Sequence, residues 1–166
     1  VANGILFNHE SPRRGEQFVT RKITLGLARI LAGRADHIAL GNLEARRDWG
    51  HARDYVKAMH AMVRAERPGD YVVATGRAHS VRDLLHTACE LVGLDPERVV
   101  RVDPAFLRPA DVPIVLGDPS RARRELGWSP TVDFRGLVGE MLAADLARVG
   151  LDPTTYPSLP PLPDLP

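Results

Sequence analysis

Arginine pairs stand in the irregular stretches of this sequence: Arg13 and Arg14 in NHESPRRG, Arg46 and Arg47 in EARRDWG, and a single Arg108 before Pro109. A guanidinium stays charged when partly desolvated and offers a planar fork of donors, so a loop that presents one can grip a phosphate through two parallel hydrogen bonds. Arginine is also an ordinary surface residue, and spacing alone leaves each loop open to either reading. Arg21 and Lys22 follow the first pair on a stretch of helical periodicity. Neighbours on a helix project about 100° apart, so at most one of them faces the same site as the loop. Trp49, beside the second pair, reads as packing rather than as a stacking platform.

Other chemistry is missing from the sequence. A dinucleotide fold needs a glycine-rich turn to bring backbone against a pyrophosphate, and neither G-x-G-x-x-G, G-x-x-G-x-x-G nor a P-loop occurs. No tyrosine stands four residues before a lysine, the spacing that lets lysine lower a phenol's pKa: Tyr55 meets Met59 and Tyr71 meets Thr75. The histidines form no H-E-x-x-H and none joins a carboxylate at a metal-binding spacing, so no metal is expected. Cys89 is the only cysteine, in an apolar helical stretch, which excludes a disulfide framework and makes a reducing cytoplasm the expected compartment. A formal charge of +1 with 5% aromatics argues against nucleic acid, and no apolar run has the length of a membrane span.

The elements that must position the arginines alternate between strand and helix, which predicts an α/β fold. VANGILF reads as a buried strand, residues 16–31 as a helix burying Phe18, Val19, Ile23, Leu27, Ile30 and Leu31, and HIAL as a short strand. GNLEARRDWGH reads as a loop, 52–65 as a helix and DYVVATG as a second buried strand. Ser80 and Asp83 have capping-box spacing at the start of SVRDLLHTACELVG, and Gly93 closes that helix. RVVRV is a strand candidate; Asp118-Pro119 opens a short helix and Asp133 caps a last one over about 134–148. Residues 1–150 are expected to form the folded portion, and the proline-rich 151–166 an extended or disordered tail. A chain opening on Val1, directly in an apolar strand, reads as part of a longer polypeptide.

NGILFNHESPRRGEQFVTRKI, LGNLEARRDWGHARDYVKAM, ATGRAHSVRD and RPADVPIVLGDPSRARRELGW resemble the GDP-mannose 4,6-dehydratases, members of the extended short-chain dehydrogenase/reductase superfamily, over about residues 1–150. The resemblance implies the C-terminal part of a Rossmann-type fold, containing the substrate-binding subdomain, with the glycine-rich nucleotide-binding half and its catalytic Thr, Glu, Tyr and Lys outside this sequence. It implies NADP as cofactor, GDP-mannose as substrate, and GDP-4-keto-6-deoxymannose and water as products. His9 and Arg14 match cofactor-contacting positions; Asn8, Arg47 and Arg108 match residues around the substrate diphosphate. Asp111 stands where the family often has a glutamate that meets ribose hydroxyls, and Lys22 and the Gly41-Asn42 turn are further candidates for the nucleotide pocket. No catalytic residue is expected within the sequence, activity is expected to need the N-terminal half or a partner chain that supplies it, and the full enzyme is expected to be a homo-oligomer. The alternative reading is a noncatalytic nucleotide-binding or interaction module, the latter acting through PSLPPLPDLP.

Overall fold

The computed structural model describes residues 1–107 and 110–161. Strand β1 (Asn3–Leu6) and β2 (Asn8–Glu10) run almost continuously, and α1 (Val19–Leu31), β3 (Ile38–Leu40), β4 (Arg46–Arg47), β5 (Trp49–His51) and α2 (Ala52–Arg64) follow. Next come β6 (Asp70–Val73), β7 (His79–Ser80), α3 (Val81–Val92), the single turn α4 (Pro96–Val99) and β8 (Val100–Val102). β9 (Ile114–Val115), α5 (Ser120–Leu126) and α6 (Phe134–Arg148) complete the described order, with short 3-10 turns at Pro104–Phe106 and Pro153–Thr155. Parallel pairs join β1 to β6, β2 to β5 and β3 to β8; β4 lies between β7, antiparallel, and β9, parallel.

The main core is a layer of α1, α3 and α6 on β3, where Ile23, Leu27, Leu84, Leu85, Leu142 and Leu146 are almost wholly removed from water. Cys89 lies within it as a small apolar residue. A second cluster joins α2, β6 and α5 through Tyr55, Met62, Tyr71, Val73 and Trp128. Asp54, in the first turn of α2, accepts from the amides of Thr131 and Val132 and from the Thr131 hydroxyl at 2.7–3.0 Å, and so fastens that helix to the segment before α6.

Local capping fixes the ends as the sequence predicts. Ser80 and Asp83 form the reciprocal capping box, Asp133 accepts from the Gly136 amide, and Gly93 takes the left-handed conformation after α3. Several expectations change. The helix expected from residue 16 begins at Val19, because Phe18 is extended, with ψ 143°, and no side chain caps the turn before it. Phe18 is accordingly exposed rather than buried. The loop expected at 41–51 contains β4 and β5, two short strands whose partners are distant in sequence. The tail expected to be free of the fold is seated at its start: Tyr156 and Leu159 pack on the main core, and Pro160 lies so near Gly139 that a Cβ there would come within 2.5 Å of its ring. Residues 162–166 lie outside the described residues.

β1 is a strand as expected but is not buried, since Asn3, Gly4 and Ile5 are exposed and only β6 pairs with it among the described residues. Ile5 is 55% exposed, and Val56, Met59 and Val63 leave an apolar stripe uncovered on α2.

Candidate functional site

The loop between β2 and α1 is shaped from beneath. Arg21 is buried on α1 and meets Asp145 of α6 through two nitrogens at 2.7–2.9 Å, while its Nη1 donates to the Pro12 carbonyl and, at 2.9 Å, to that of Arg14. Thr24 donates its hydroxyl to the same carboxylate at 2.7 Å. Burial pushes the Asp145 pKa up, and Thr24 and Arg21 oppose that push. The cation at 21 therefore answers an internal carboxylate, leaving Lys22 to face outward from the helix into a cleft.

That cleft, of about 310 Å³, is lined by Asn8, Arg14, Lys22, Asn42, Arg47 and Asp111, with Phe18, Trp49 and Phe106 among its apolar walls. Strand alternation sends Asn8 and Glu10 to one side of β2 and His9 to the other. Glu10 is buried, accepts the Thr20 hydroxyl at 2.7 Å and pairs with Arg14 Nε at 3.0 Å. Burial raises its pKa against those two partners. Arg14 also lies over the Phe18 ring, 3.5 Å from its centre, so both its position and its charge are held at the cleft wall. Lys22 Nζ sits 3.4 Å from the centre of Phe106; desolvation lowers its pKa, with Asp103 working in the other direction. Among the described residues no carboxylate lies within ion-pair range of Lys22.

Arg47 reaches the opposite wall from β4. Its Nη2 pairs with Asp111 at 2.7 Å and its Nη1 donates to the carbonyls of Arg46 and Val112, both at 2.8 Å. Asp111 also accepts from Asn42 Nδ2 at 3.2 Å. A phosphate arriving here would compete with Asp111 for the guanidinium and free the carboxylate to accept from a hydroxyl. The arrangement can hold an anion beside a polyhydroxylic group.

Of the residues singled out from sequence, Asn8, Arg14, Lys22, Arg47, Asp111 and the Gly41-Asn42 turn share this one cleft. His9 does not line it: its ring stacks on Tyr55 with centroids 5.0 Å apart, and its Nδ1 lies 2.8 Å from the Phe7 carbonyl. Arg108 lies outside the described residues. Sequence reasoning passed over Glu10, which holds Arg14, and Asp48, which accepts from Thr75 and Gly76 at 2.7–2.9 Å and fixes the turn after β6. In sequence Asp48 is only an acidic residue beside the Arg46-Arg47 pair, in a stretch that reads as loop.

Comparison with known proteins adds to this geometry. The GDP-mannose 4,6 dehydratase family matches residues 1–141. A GDP-mannose 4,6 dehydratase of Drosophila melanogaster is 46% identical over 170 residues, covering 92% of this chain and 43% of its own length. GDP-mannose 4,6 dehydratase 2 of Arabidopsis thaliana is 52% identical over 146 residues, covering 88% of this chain and 39% of its own. The chain thus spans less than half the length of the curated relatives it matches. Among solved structures, RMD from Pseudomonas aeruginosa complexed with NADPH aligns with a TM-score of 0.79 at 21% identity, over 87% of this chain and 47% of the other, a likeness of fold. UDP-glucose 4-epimerase from Thermotoga maritima with UDP-glucose aligns with a TM-score of 0.68 at 28% identity, over 87% and 45%. The α/β arrangement is part of the Rossmann-type fold of extended short-chain dehydrogenase/reductase enzymes. With a family match over most of its length and relatives near half identity, the chain belongs to the GDP-mannose 4,6-dehydratase family.

Proposed function

We propose that this chain is the sugar-nucleotide-binding portion of an enzyme that converts GDP-mannose to GDP-4-keto-6-deoxymannose and water. One observation carries the reading: Asn8, Lys22 and Arg47, which come from three separate elements, line one cleft with Asp111 and Asn42. In it Arg47 and Asn8 take the diphosphate, and Lys22 supplies a second positive charge. Asp111 accepts from the ribose once the phosphate has drawn Arg47 away from it. Arg108 is assigned to the same diphosphate by family resemblance alone.

NADP, which takes up and returns the hydride, would be held with help from Arg14 and His9. The fit rests on Arg14, whose side chain is about a quarter exposed and whose guanidinium Glu10 and Phe18 fix in place. The residues of this chain bind and orient. The proton transfers at C5 and C6 are assigned to the Thr, Glu, Tyr and Lys of the preceding half, whether joined to this portion or supplied by a partner, with the complete enzyme a homo-oligomer.

Calorimetric titration of GDP into the 166-residue chain tests the cleft. Saturable binding is expected, weakened by about 1.5–3 kcal/mol in Arg47→Ala, the scale of a lost charged hydrogen bond. Unchanged affinity in both Arg47→Ala and Lys22→Ala removes the assignment. The same chain with NADP and GDP-mannose is expected to release no keto sugar; turnover would place the catalytic groups within these residues instead.

A further inference from the structure

The two arginines of β4 leave the strand on opposite faces, as alternation demands. Arg47 lines the cleft described above; Arg46 turns to the other side, where its Nη2 donates to the Ala78 carbonyl at 2.9 Å. On that side lies a second concavity of about 540 Å³, and Trp49 is a wall of both. The rings continue from Trp49 to Phe134, with centroids 6.2 Å apart, and from Phe134 to His79, stacked face to face at 3.8 Å.

The charges of this second concavity are lopsided. Arg77, Arg123 and Arg135 line it, and Asp133 is the one carboxylate among its described lining residues. The carboxylates near enough to neutralise the arginines are committed to backbone. Asp48 accepts from the amides of Thr75 and Gly76 at 2.8 and 2.9 Å, Asp83 from that of Ser80 at 2.8 Å, and Asp133 from that of Gly136 at 2.7 Å. Arg135 pairs with Glu90 at 3.0 Å, out on the surface. Arg123 donates one nitrogen to the Thr75 carbonyl at 3.0 Å, and Arg77 has no ion pair among the described residues. His79 lies between Arg46 and Arg77; its pKa is lowered by burial first, with Asp83 opposing and the two arginines assisting. Two guanidinium groups thus flank an aromatic floor without an ion pair among the described residues, the carboxylate of Asp118 near Arg123 being held by the amide and hydroxyl of Ser120, while the Asp48 and Asp83 hydrogen bonds hold the backbone around them.

We propose that this concavity is a second anion site, separate from the sugar-nucleotide cleft, which binds a phosphate monoester between Arg77 and Arg123. Two forked donors suit the oxygens of one phosphate. The remaining space runs over His79 and Phe134 and accommodates the organic part of the ester. Trp49, shared by the two concavities, gives an occupant of one a packed contact through which to alter the other.

Glycerol 3-phosphate titrated into the 166-residue chain, with and without saturating GDP, tests the site by calorimetry. Expected are saturation at one site in the presence of GDP, at least about a tenfold loss of affinity in Arg77→Glu, and no loss in Arg47→Ala. Arg77 is an exposed loop residue, so the charge reversal leaves packing intact, and an unchanged melting temperature verifies that. Absence of saturation, full competition by GDP, or equal affinity in Arg77→Glu overturns the proposal. Binding of inorganic phosphate with rejection of glycerol 3-phosphate overturns the monoester.

Discussion

Arg21 and Asp145 stabilise the molecule only as a pair. Either charge left alone would be buried without a counter-ion, and the Arg21 bonds to the carbonyls of Pro12 and Arg14 would lose their anchor. Asp145→Ala should cost about 3–5 kcal/mol in urea unfolding, and Arg21→Met with Asp145→Leu should recover a large part of that. A loss below 1 kcal/mol in the single variant would mean that water already reaches the pair. The helical angle between residues 21 and 22 was enough to say that one cation at most joins the site; it could not say which. That choice lies with Asp145, 124 residues away, and no local pattern announces it. Lys22, Asn8, Arg47 and Asp111 were legible through family resemblance, and the loop arginines also through their chemistry. Glu10 and Asp48 were not, because a carboxylate that binds backbone from inside looks in sequence like any surface acid.

Asp54 gives α2 its attachment and the fold a sensitivity to acid. Burial alone would raise its pKa, but the bonds from Thr131, from the Val132 amide and from Lys57 outweigh burial and leave it lowered. Its folded pKa lies below its unfolded one, so its contribution is complete above the ordinary value of 3.8 and is lost as pH falls through the folded value. The melting temperature of the native chain should therefore fall more steeply below about pH 4 than that of Asp54→Asn. Parallel slopes would show that the carboxylate does not titrate with unfolding. At this scale the sequence was most readable where a device is local, as in the Ser80 and Asp83 box or the Asp133 cap. It was least readable for β4, whose two residues are strand only because β7 and β9 lie on either side.

The molecule as a whole carries apolar surface that its own described residues do not cover. β1 pairs on one side, Ile5 is 55% exposed and Val63 85%, and an open strand edge beside an apolar helix stripe is a surface that associates. The 166-residue chain should bind a hydrophobic dye and elute in gel filtration as more than a monomer; a sharp, dye-negative monomer would contradict this. Another consequence follows from the place of Asp145 on α6. The loop carrying Arg14 is positioned by a contact that exists only once residue 145 has been synthesised and docked, and pairings so far apart are late events in folding. A nascent chain on the ribosome would thus carry most of the cleft's polar side chains well before the loop bearing Arg14 had its final position.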